Sequence, residues 1–295
     1  LCGCRRMNKL KRSLFSRHEL KFIKEITEIA TVMYDRGYNE YNGGNISLLL
    51  DSTEMTEINE PYIPQRSFKL PAKFPGLSGR YVAVTKSGSC FRQIKQAPER
   101  DIGILHISDD GAYAELMAGF SDGANPTSEL VMHLGTHEER LKHDMRHRTV
   151  LHCHPADIIA MTMLKKMDSR DFTYRLWAMM TECAVIFPDG VGLIDWSISS
   201  STDLGLKSAA YFSNYRAVVW AMHGITCVGS STDEAFGLIE VINKAASIYL
   251  KVLSAGGSGH FGISEEQINN IMLSFNLPIQ KCWLNKIDNI EVKDE

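Results

Sequence analysis

The chain has 295 residues, of which 44% are hydrophobic and 23% charged, as is typical of a globular protein with a sizeable core. Its 32 basic and 35 acidic residues give a formal net charge of −3, which implies no strongly basic face and disfavours nucleic acid binding. The 7 cysteines do not resemble a disulfide framework, which favours a reducing, cytoplasmic location. No apolar run approaches the roughly 18–20 residues that a membrane helix needs.

We expect residues 1–15 to form a poorly ordered leader and residues 16–295 to form a single domain. The opening sequence, LCGCRRMNKL, is basic, but no apolar stretch follows it as in a secretory signal. Cys2 and Cys4 are compatible with lipidation or a metal. We favour a non-native or mis-started leader at residues 1–7, ahead of a start near Met7, and leave it out of the fold prediction.

Helical spacing begins behind a capping box formed by Ser16 and Glu19. The apolar residues that recur there at helical spacing are Leu20, Ile23, Ile26, Ala30 and Met33. The turn at residues 42–45 (NGGN) leads into a predicted strand at residues 46–50. Residues 51–79 are polar and rich in proline, and we interpret them as an insertion between two strands.

Helices and strands alternate through the rest of the chain. Further strands are predicted at residues 80–85, 102–107, 149–154 and 216–223. Further helices are predicted from Thr127 or Ser128, behind Pro155, behind a capping box of Ser231 and Glu234, and after Ser264. Because the elements intermix without a shift in composition, the sequence predicts one α/β domain with a central sheet covered by helices.

The strongest metal signal is His152-Cys153-His154 in a predicted strand. Side chains two residues apart on a strand point the same way, so both imidazoles can face one ion while Cys153 turns to the opposite side. A catalytic zinc takes three protein ligands, and His223, at the end of an apolar strand, is the natural third. Spacing alone leaves open a chance pair or a solvated strand face.

Two further pairs of histidines lie four residues apart, a helical spacing that can also bind metal. They are His133 with His137, and His143 with His147. Because the pattern HExxH is absent, we expect a solvated or capping role for all four.

Three turns carry glycines, hydroxyls or helix-start amides that can approach an anion. They are residues 42–45 (NGGN), 85–88 (TKSG) and 126–129 (PTSE). Together they could surround one phosphate, although each alone is more often a plain turn or a helix cap. No Walker motif, no GxSxG elbow and no complete fingerprint of GxGxxG with its acidic residue is present, which disfavours nucleotide binding and serine-hydrolase chemistry.

Two carboxylates are candidates for acid–base chemistry. Glu129 falls in the first turn of a predicted helix, beside Thr127 and Ser128, where the helix dipole also favours a glutamate without a function. Glu182 precedes the strand-like run AVIF. A carboxylate near an apolar strand is either functional or paired, and spacing does not decide between these.

The motifs NGGN, VTxSG, PTSE, HCHP, TECAVIFPDGVG and a final HG occur in this order. They resemble the class II aldolase/adducin-like family, and within it the rhamnulose-1-phosphate aldolases, from about residue 19 to residue 275. The TEC…FPDGVG segment and the insertion at residues 51–79 favour this branch over the shorter fuculose-phosphate aldolases. Lys86 departs from the pattern, since a glycine is more familiar there.

The resemblance implies a central, mostly antiparallel sheet covered by helices, a homotetramer, and one Zn²⁺ per subunit. It implies that His152, His154 and His223 bind the zinc. It also implies that Glu129 is the catalytic acid/base and that Glu182 is a second carboxylate near the aldehyde. The phosphate and backbone contacts that it implies are Asn42, Gly44, Asn45, Ser87, Gly88, Thr127 and Ser128.

The reaction that the resemblance implies is the reversible cleavage of L-rhamnulose 1-phosphate to dihydroxyacetone phosphate and L-lactaldehyde, in rhamnose catabolism. Zinc would stabilise an enediolate while Glu129 moves a proton. Two alternatives are another enzyme of the family, such as an L-fuculose-phosphate aldolase or a pentulose-phosphate 4-epimerase, and a non-catalytic adducin-like interaction module. Such a module would keep the fold and lose the metal ligands.

Overall fold

A computed structural model describes residues 20–57, 64–257 and 261–277. The predicted leader at residues 1–15 and the capping box of Ser16 and Glu19 lie outside these residues. Among the helices of this part of the chain, none combines the length and the apolar character that a membrane span requires.

A nine-stranded sheet runs through the described chain. Its strands are β1 (Asn45–Leu49), β2 (Arg66–Lys69), β3 (Tyr81–Thr85), β4 (Ile102–Ile107), β5 (Tyr113–Gly119), β6 (Thr149–Cys153), β7 (Gly192–Ile194), β8 (Ala217–Trp220) and β9 (Gly224–Gly229). Across the sheet they lie in the order β2-β5-β4-β3-β1-β6-β9-β8-β7. Only β7 and β8 pair in parallel. The predicted central, mostly antiparallel sheet is therefore confirmed.

Helices cover both faces of this sheet. The α-helices of the described residues are α1 (Lys21–Asp35), α2 (Ser52–Glu57), α3 (Phe91–Ile94), α4 (Pro98–Asp101), α5 (Leu130–Leu141), α6 (Ala156–Met163), α7 (Ser169–Trp177), α8 (Thr181–Ile186), α9 (Thr202–Tyr211), α10 (Thr232–Ser254) and α11 (Glu265–Ser274). A 3₁₀ turn spans Pro75–Leu77.

Strand β6 lies between the two helical layers and divides its side chains between them. Leu151 and Cys153 join the apolar cluster formed with α1 and α10. Val150 instead packs in a cluster with Met132 of α5 and with residues of α9. Because the side chains of a strand alternate in direction, His152 points to the same side as Val150, towards α5.

The predicted insertion at residues 51–79 contains structure that the sequence pattern does not indicate. It holds α2, the 3₁₀ turn and β2, which forms one edge of the sheet and pairs only with β5. Strand β2 is polar except for Phe68, and its side chains alternate between half-buried and exposed. A short polar edge strand lacks the apolar signal that predicts strands, and β5 also is not among the predicted elements.

The run AVIF was expected to be a strand, and this expectation is wrong. Residues Thr181–Ile186 form the short helix α8, in which Cys183 and Ala184 are buried and Glu182 is exposed. A short apolar run without alternation does not distinguish a strand from one buried turn of helix.

Candidate active site

Three histidine side chains converge at one end of the central strands. His152 belongs to β6, His154 follows that strand directly, and His223 lies in the turn between β8 and β9. Their ring centroids are 5.0–5.1 Å apart. One ligand atom from each residue lies within 4.8 Å of the others, an arrangement that could hold a metal ion.

The position of His223 depends on a tight turn rather than on a strand end. Strand β8 ends at Trp220, three residues earlier than predicted, and Met222 adopts a left-handed conformation with φ of 61°. Gly224, which follows His223 and begins β9, lies against β6, and a Cβ atom there would be 2.3 Å from the carbonyl oxygen of Cys153. A glycine at residue 224 therefore lets the two strands approach closely enough for the histidines to meet.

Hydrogen bonds fix the orientation of two of the imidazoles. Nδ1 of His152 donates to the carbonyl oxygen of Ile225, 3.1 Å away, and also lies 3.1 Å from the hydroxyl of Thr226. Nδ1 of His154 donates to the carboxylate of Glu40 at 2.7 Å. Because a carbonyl and a carboxylate only accept, each Nδ1 carries the hydrogen when the imidazole is neutral, and each Nε2 carries a lone pair.

The donor set fits a zinc ion. Three imidazole nitrogens with an open fourth position are a ligand set of catalytic zinc, and outer-shell acceptors such as Glu40 are typical of these sites. Burial, together with His154, lowers the pKa of His223 to about 4 and holds the pKa of His152 well below its usual range. These two imidazoles are therefore neutral near pH 7 and free to donate to a cation.

Cys153, the alternative ligand between the two histidines, points away from the cluster. It is fully buried in the layer formed with α1 and α10. Burial raises the pKa of its thiol, which disfavours the thiolate that a metal needs. The alternation that predicted this orientation is confirmed.

Glu129 lies beside the histidines, at the N-cap of α5 and not within its first turn as predicted. The helix begins late because the amide of Thr127 donates to the carbonyl of Thr85, which holds this segment against the end of β3. The carboxylate oxygens of Glu129 are 3.5 Å from Nε2 of His152 and 3.9 Å from Nε2 of His223.

The carboxylate of Glu129 is almost completely buried. Burial raises its pKa, an effect that a hydrogen bond from Asn45 and the nearby His154 partly oppose. A carboxyl group with a raised pKa takes up and releases a proton closer to neutral pH, as an acid/base group requires.

The three glycine- and hydroxyl-bearing turns meet beside this carboxylate. Lys86 and Pro126 form a β-bridge that joins the TKSG turn to the PTSE turn. The backbone amide of Ile46 donates to the hydroxyl of Thr85 at 3.1 Å, which brings the NGGN turn to the same place. Gly44 has a φ of 78°, and a Cβ atom there would be 1.9 Å from the side-chain amide of Asn39.

The predicted phosphate contacts divide into an exposed and a buried set, with Gly44 intermediate between them. The exposed members are Asn42, Ser87, Gly88 and Ser128. Asn45 and Thr127 are buried, and the side-chain amide of Asn45 is engaged by Glu129 and by His133. Lys86, the departure from the family pattern, directs its ammonium group to Asp101 and Asp122.

Glu182 is not brought to the histidine cluster within this chain. It is exposed on α8, which packs against α7, α10 and α11. Among the described residues, no hydrogen bond or ion pair joins Glu182 to the cluster. Its role near an aldehyde stays a prediction.

The expected solvated or capping role is wrong for three of the four histidines in the two pairs with helical spacing. His133 and His137 are completely buried, and His147 is buried against the guanidinium of Arg140. His143 is exposed, beside Glu139. The face that α5 buries against β1 depends on tertiary packing, which the histidine spacing does not reveal.

Further features of the site are not among the sequence predictions. Glu40 orients His154. The ring centroid of Trp220 lies 5.0 Å from that of His152 and 5.1 Å from that of His223. A cavity of 730 Å³ opens beside His154 and His223. Its apolar lining includes Ile159, Met163, Trp196, Ile198 and Met222.

The chain matches the family described as Class II Aldolase and Adducin N-terminal domain over residues 24–250. It is 39% identical over 266 residues to the rhamnulose-1-phosphate aldolase of Listeria monocytogenes serotype 4a (strain HCC23), covering 90% of this chain and 96% of the relative. It is 40% identical over 238 residues to that of Enterococcus faecalis (strain ATCC 700802 / V583), covering 80% of this chain and 85% of the relative.

A solved structure supports the same relationship. The crystal structure of a sugar-phosphate aldolase from Thermotoga maritima superposes with a TM-score of 0.68 at 27% identity. The match covers 79% of this chain and 95% of the other.

Proposed function

We propose, since the chain belongs to the class II aldolase and adducin family, that it is a zinc-dependent aldolase that reversibly cleaves L-rhamnulose 1-phosphate to dihydroxyacetone phosphate and L-lactaldehyde. The observation that carries this proposal is the buried carboxylate of Glu129 within 3.9 Å of two imidazoles of a three-histidine cluster. The names of relatives about 40% identical support the choice of sugar.

His152, His154 and His223 would hold one Zn²⁺ per subunit. When bound, zinc supplies a Lewis acid that stabilises the negative charge developing on the substrate oxygens as the carbon–carbon bond breaks. The protein contributes the orientation of the ligands, since the carbonyl of Ile225 and the carboxylate of Glu40 hold the outer nitrogens of His152 and His154.

After the bond between C3 and C4 breaks, Glu129 would give a proton to C3 of the ketose, which becomes the hydroxymethyl carbon of dihydroxyacetone phosphate; in the reverse direction it would remove that proton. Its carboxylate accepts a hydrogen bond of 2.8 Å from the side-chain amide of Asn45, which fixes its direction. Because burial raises its pKa, it is a stronger base than an exposed glutamate.

The converging turns would hold the phosphate of the substrate. The NGGN, TKSG and PTSE turns present exposed groups beside the start of α5, where the helix dipole favours an anion. Residues in this proposed role are Asn42, Gly44, Asn45, Ser87, Gly88, Thr127 and Ser128; the side chain of Asn45 would act through Glu129. Binding the phosphate away from the reacting carbon would position that carbon and raise its effective concentration.

The protein would be a homotetramer located in the cytoplasm, with Glu182 acting near the aldehyde. Apolar side chains exposed at the mouth of the cavity support a subunit interface there. They are Met163, Trp196 and Ile198. Light scattering on the zinc-loaded protein measures the assembly, and a monomer would contradict a homotetramer.

The test compares the turnover of L-rhamnulose, L-fuculose and L-ribulose phosphates by zinc-loaded protein. We expect L-rhamnulose 1-phosphate to have the highest kcat/KM and to release dihydroxyacetone phosphate. Faster turnover of either other sugar would assign the chain to another activity of the family. A chain that contains no zinc and cleaves none of the three would instead be an interaction module.

A further inference from the structure

A chain of hydrogen bonds leads from Glu129 into the protein interior, away from the histidine cluster. The side-chain amide of Asn45 donates to Oε2 of Glu129 at 2.8 Å. Nε2 of His133 bonds to Oδ1 of Asn45. The hydroxyl of Ser47 then joins Nδ1 of His133 to Nε2 of His137, with 2.7 Å on each side.

The carboxylate at one end fixes the direction of every bond in this chain. An ionised carboxylate only accepts, so Asn45 must present its NH₂ group to Glu129 and its oxygen to His133. His133 then carries its hydrogen on Nε2 and accepts at Nδ1 from the hydroxyl of Ser47. The oxygen of Ser47 accepts in turn from Nε2 of His137.

The series of hydrogen bonds ends at His137. Nδ1 of His137 is buried and has no hydrogen-bond partner among the described residues. His133, Ser47 and His137 are all completely buried. Because no polar group continues the chain towards solvent in this part of the protein, it can orient groups but offers no exit for a proton.

Both histidines are neutral at physiological pH. Burial lowers the pKa of His133 and of His137 to about 3, and for His133 the neighbouring His137 adds to this effect. A neutral imidazole has one donor and one acceptor nitrogen, so the role of one ring nitrogen determines the role of the other.

We propose that His133, oriented by Ser47 and His137, is a positioning residue that holds the Asn45 amide with its NH₂ group towards Glu129, and so holds that carboxylate beside the histidine cluster. The two ends of an Asn amide have nearly the same shape, and only hydrogen-bond partners decide between them. Without the donor on His133, the oxygen of Asn45 can turn to Glu129 and repel its carboxylate. This role rests on the proposed function, in which Glu129 is the acid/base.

Two substitutions of His133 separate positioning from packing. His133→Gln places an amide group where Nε2 lay and can still donate to Asn45. His133→Asn reaches only the position of Nδ1, so it can still bond to Ser47 but leaves Asn45 without its donor. Both variants remove the ring, and Asn, which is one methylene shorter than Gln, loses more packing at this buried position. The melting temperatures of the two variants measure this difference, and a purely structural role predicts that kcat falls only as the melting temperature does.

We expect His133→Asn to lower kcat about 100-fold, the scale of a small displacement of a reacting group, with KM and zinc content unchanged. His133→Gln should keep a kcat much closer to that of the parent protein. Equal losses in kcat for the two variants would overturn the positioning role. His143→Asn, at an exposed histidine next to the C-terminal end of α5, is the matched control and should behave as the parent chain.

A second measurement does not depend on activity. Nitrogen-15 NMR of histidine-labelled, zinc-free protein reports which ring nitrogen of each imidazole carries the hydrogen. We expect His133 and His137 both to carry it on Nε2, with the His133 signals assigned by their loss in His133→Gln. Hydrogen on Nδ1 of His133 would overturn the proposal.

Failure of the proposed function has a different signature. In that case the zinc-loaded parent chain would cleave none of the three sugar phosphates while the NMR spectrum still showed both Nε2–H tautomers. The hydrogen bonds would then have the proposed direction, but they would have no role in catalysis. With an active parent chain, the comparison of the two His133 variants decides the proposal.

Discussion

Nε2 of His152 lies 3.3 Å from Nε2 of His154, while Nδ1 of each ring already donates a hydrogen bond elsewhere. In the neutral rings, two lone pairs therefore face each other at close range. This arrangement is repulsive unless a proton or a cation lies between them. The fold thus prepares an electron-rich site before any ion binds.

Replacing His223 with alanine should reduce zinc binding, because it removes one of three nitrogens whose positions fit one ion. We expect a zinc content clearly below one ion per subunit, measured by elemental analysis after dialysis against buffer without metal. His143→Ala removes an exposed histidine outside the cluster and serves as control. Unchanged zinc content in His223→Ala would remove His223 from the ligand set.

Replacing Glu129 with glutamine should abolish most cleavage and keep the fold. The variant keeps the size of the side chain and its acceptor for Asn45 but cannot take up the proton, so we expect a loss of about 10²–10⁴-fold in kcat. Near-normal turnover would contradict the acid/base role.

The same variant should not lose stability at pH 8. The raised pKa of Glu129 means that the folded protein favours the protonated carboxyl, so its ionisation opposes folding above that pKa. A neutral amide avoids this penalty. Urea unfolding of the zinc-free proteins measures the free energy of unfolding, and a large decrease in Glu129→Gln would show that the ionised carboxylate stabilises the fold.

Replacing Glu40 with glutamine should weaken zinc binding about 10–100-fold, the usual effect of removing an outer-shell partner of a metal-bound histidine. The carboxylate bonds to Nδ1 of His154 at 2.7 Å. Competition with a chromophoric chelator measures the affinity. Glu28→Gln, at an exposed glutamate on α1, is the control, and equal affinities in the two variants would contradict the role of Glu40.

The zinc-free protein should lose stability in acid between pH 6.5 and about 3. The pKa of His133 and of His137 is lowered to about 3, so the unfolded chain takes up protons first as the pH falls below about 6.5. The stabilisation is complete above the unfolded pKa and is lost as the pH falls. Urea unfolding at several pH values measures the slope, which should be smaller in His137→Gln; an identical slope would contradict the contribution of His137.

Replacing Gly224 with alanine should disturb the site through the backbone. The added Cβ atom would meet the carbonyl oxygen of Cys153 at 2.3 Å and Cδ2 of His154 at 2.8 Å, so β9 must move away from β6. We expect a lower melting temperature and less bound zinc. Gly237→Ala in α10 is the control, since its Cβ meets nothing within 4 Å, and it should stabilise by about 0.5–1 kcal/mol. A Gly224→Ala chain as stable as the parent would contradict the close approach.

The sequence by itself determines the features that follow from local periodicity. Two-residue alternation along β6 and into the residue after it places His152 and His154 on one side and Cys153 on the other. Serine caps mark the starts of α10 and α11 for the same local reason. At α10 only half of the predicted capping box forms, because the carboxylate of Glu234 bonds to Ser230 instead of to the amide of Ser231.

Only the tertiary structure decides which segments meet. It brings His223 to the β6 pair through a left-handed turn, sets Glu40 against His154, and turns AVIF into a helix. It also buries His133 and His137 behind Asn45, 88 residues from His133 along the chain, and leaves Glu182 exposed on another helix. These contacts join residues distant in sequence, so neither periodicity nor spacing encodes them; the free energy of packing the two helical layers on the sheet selects them.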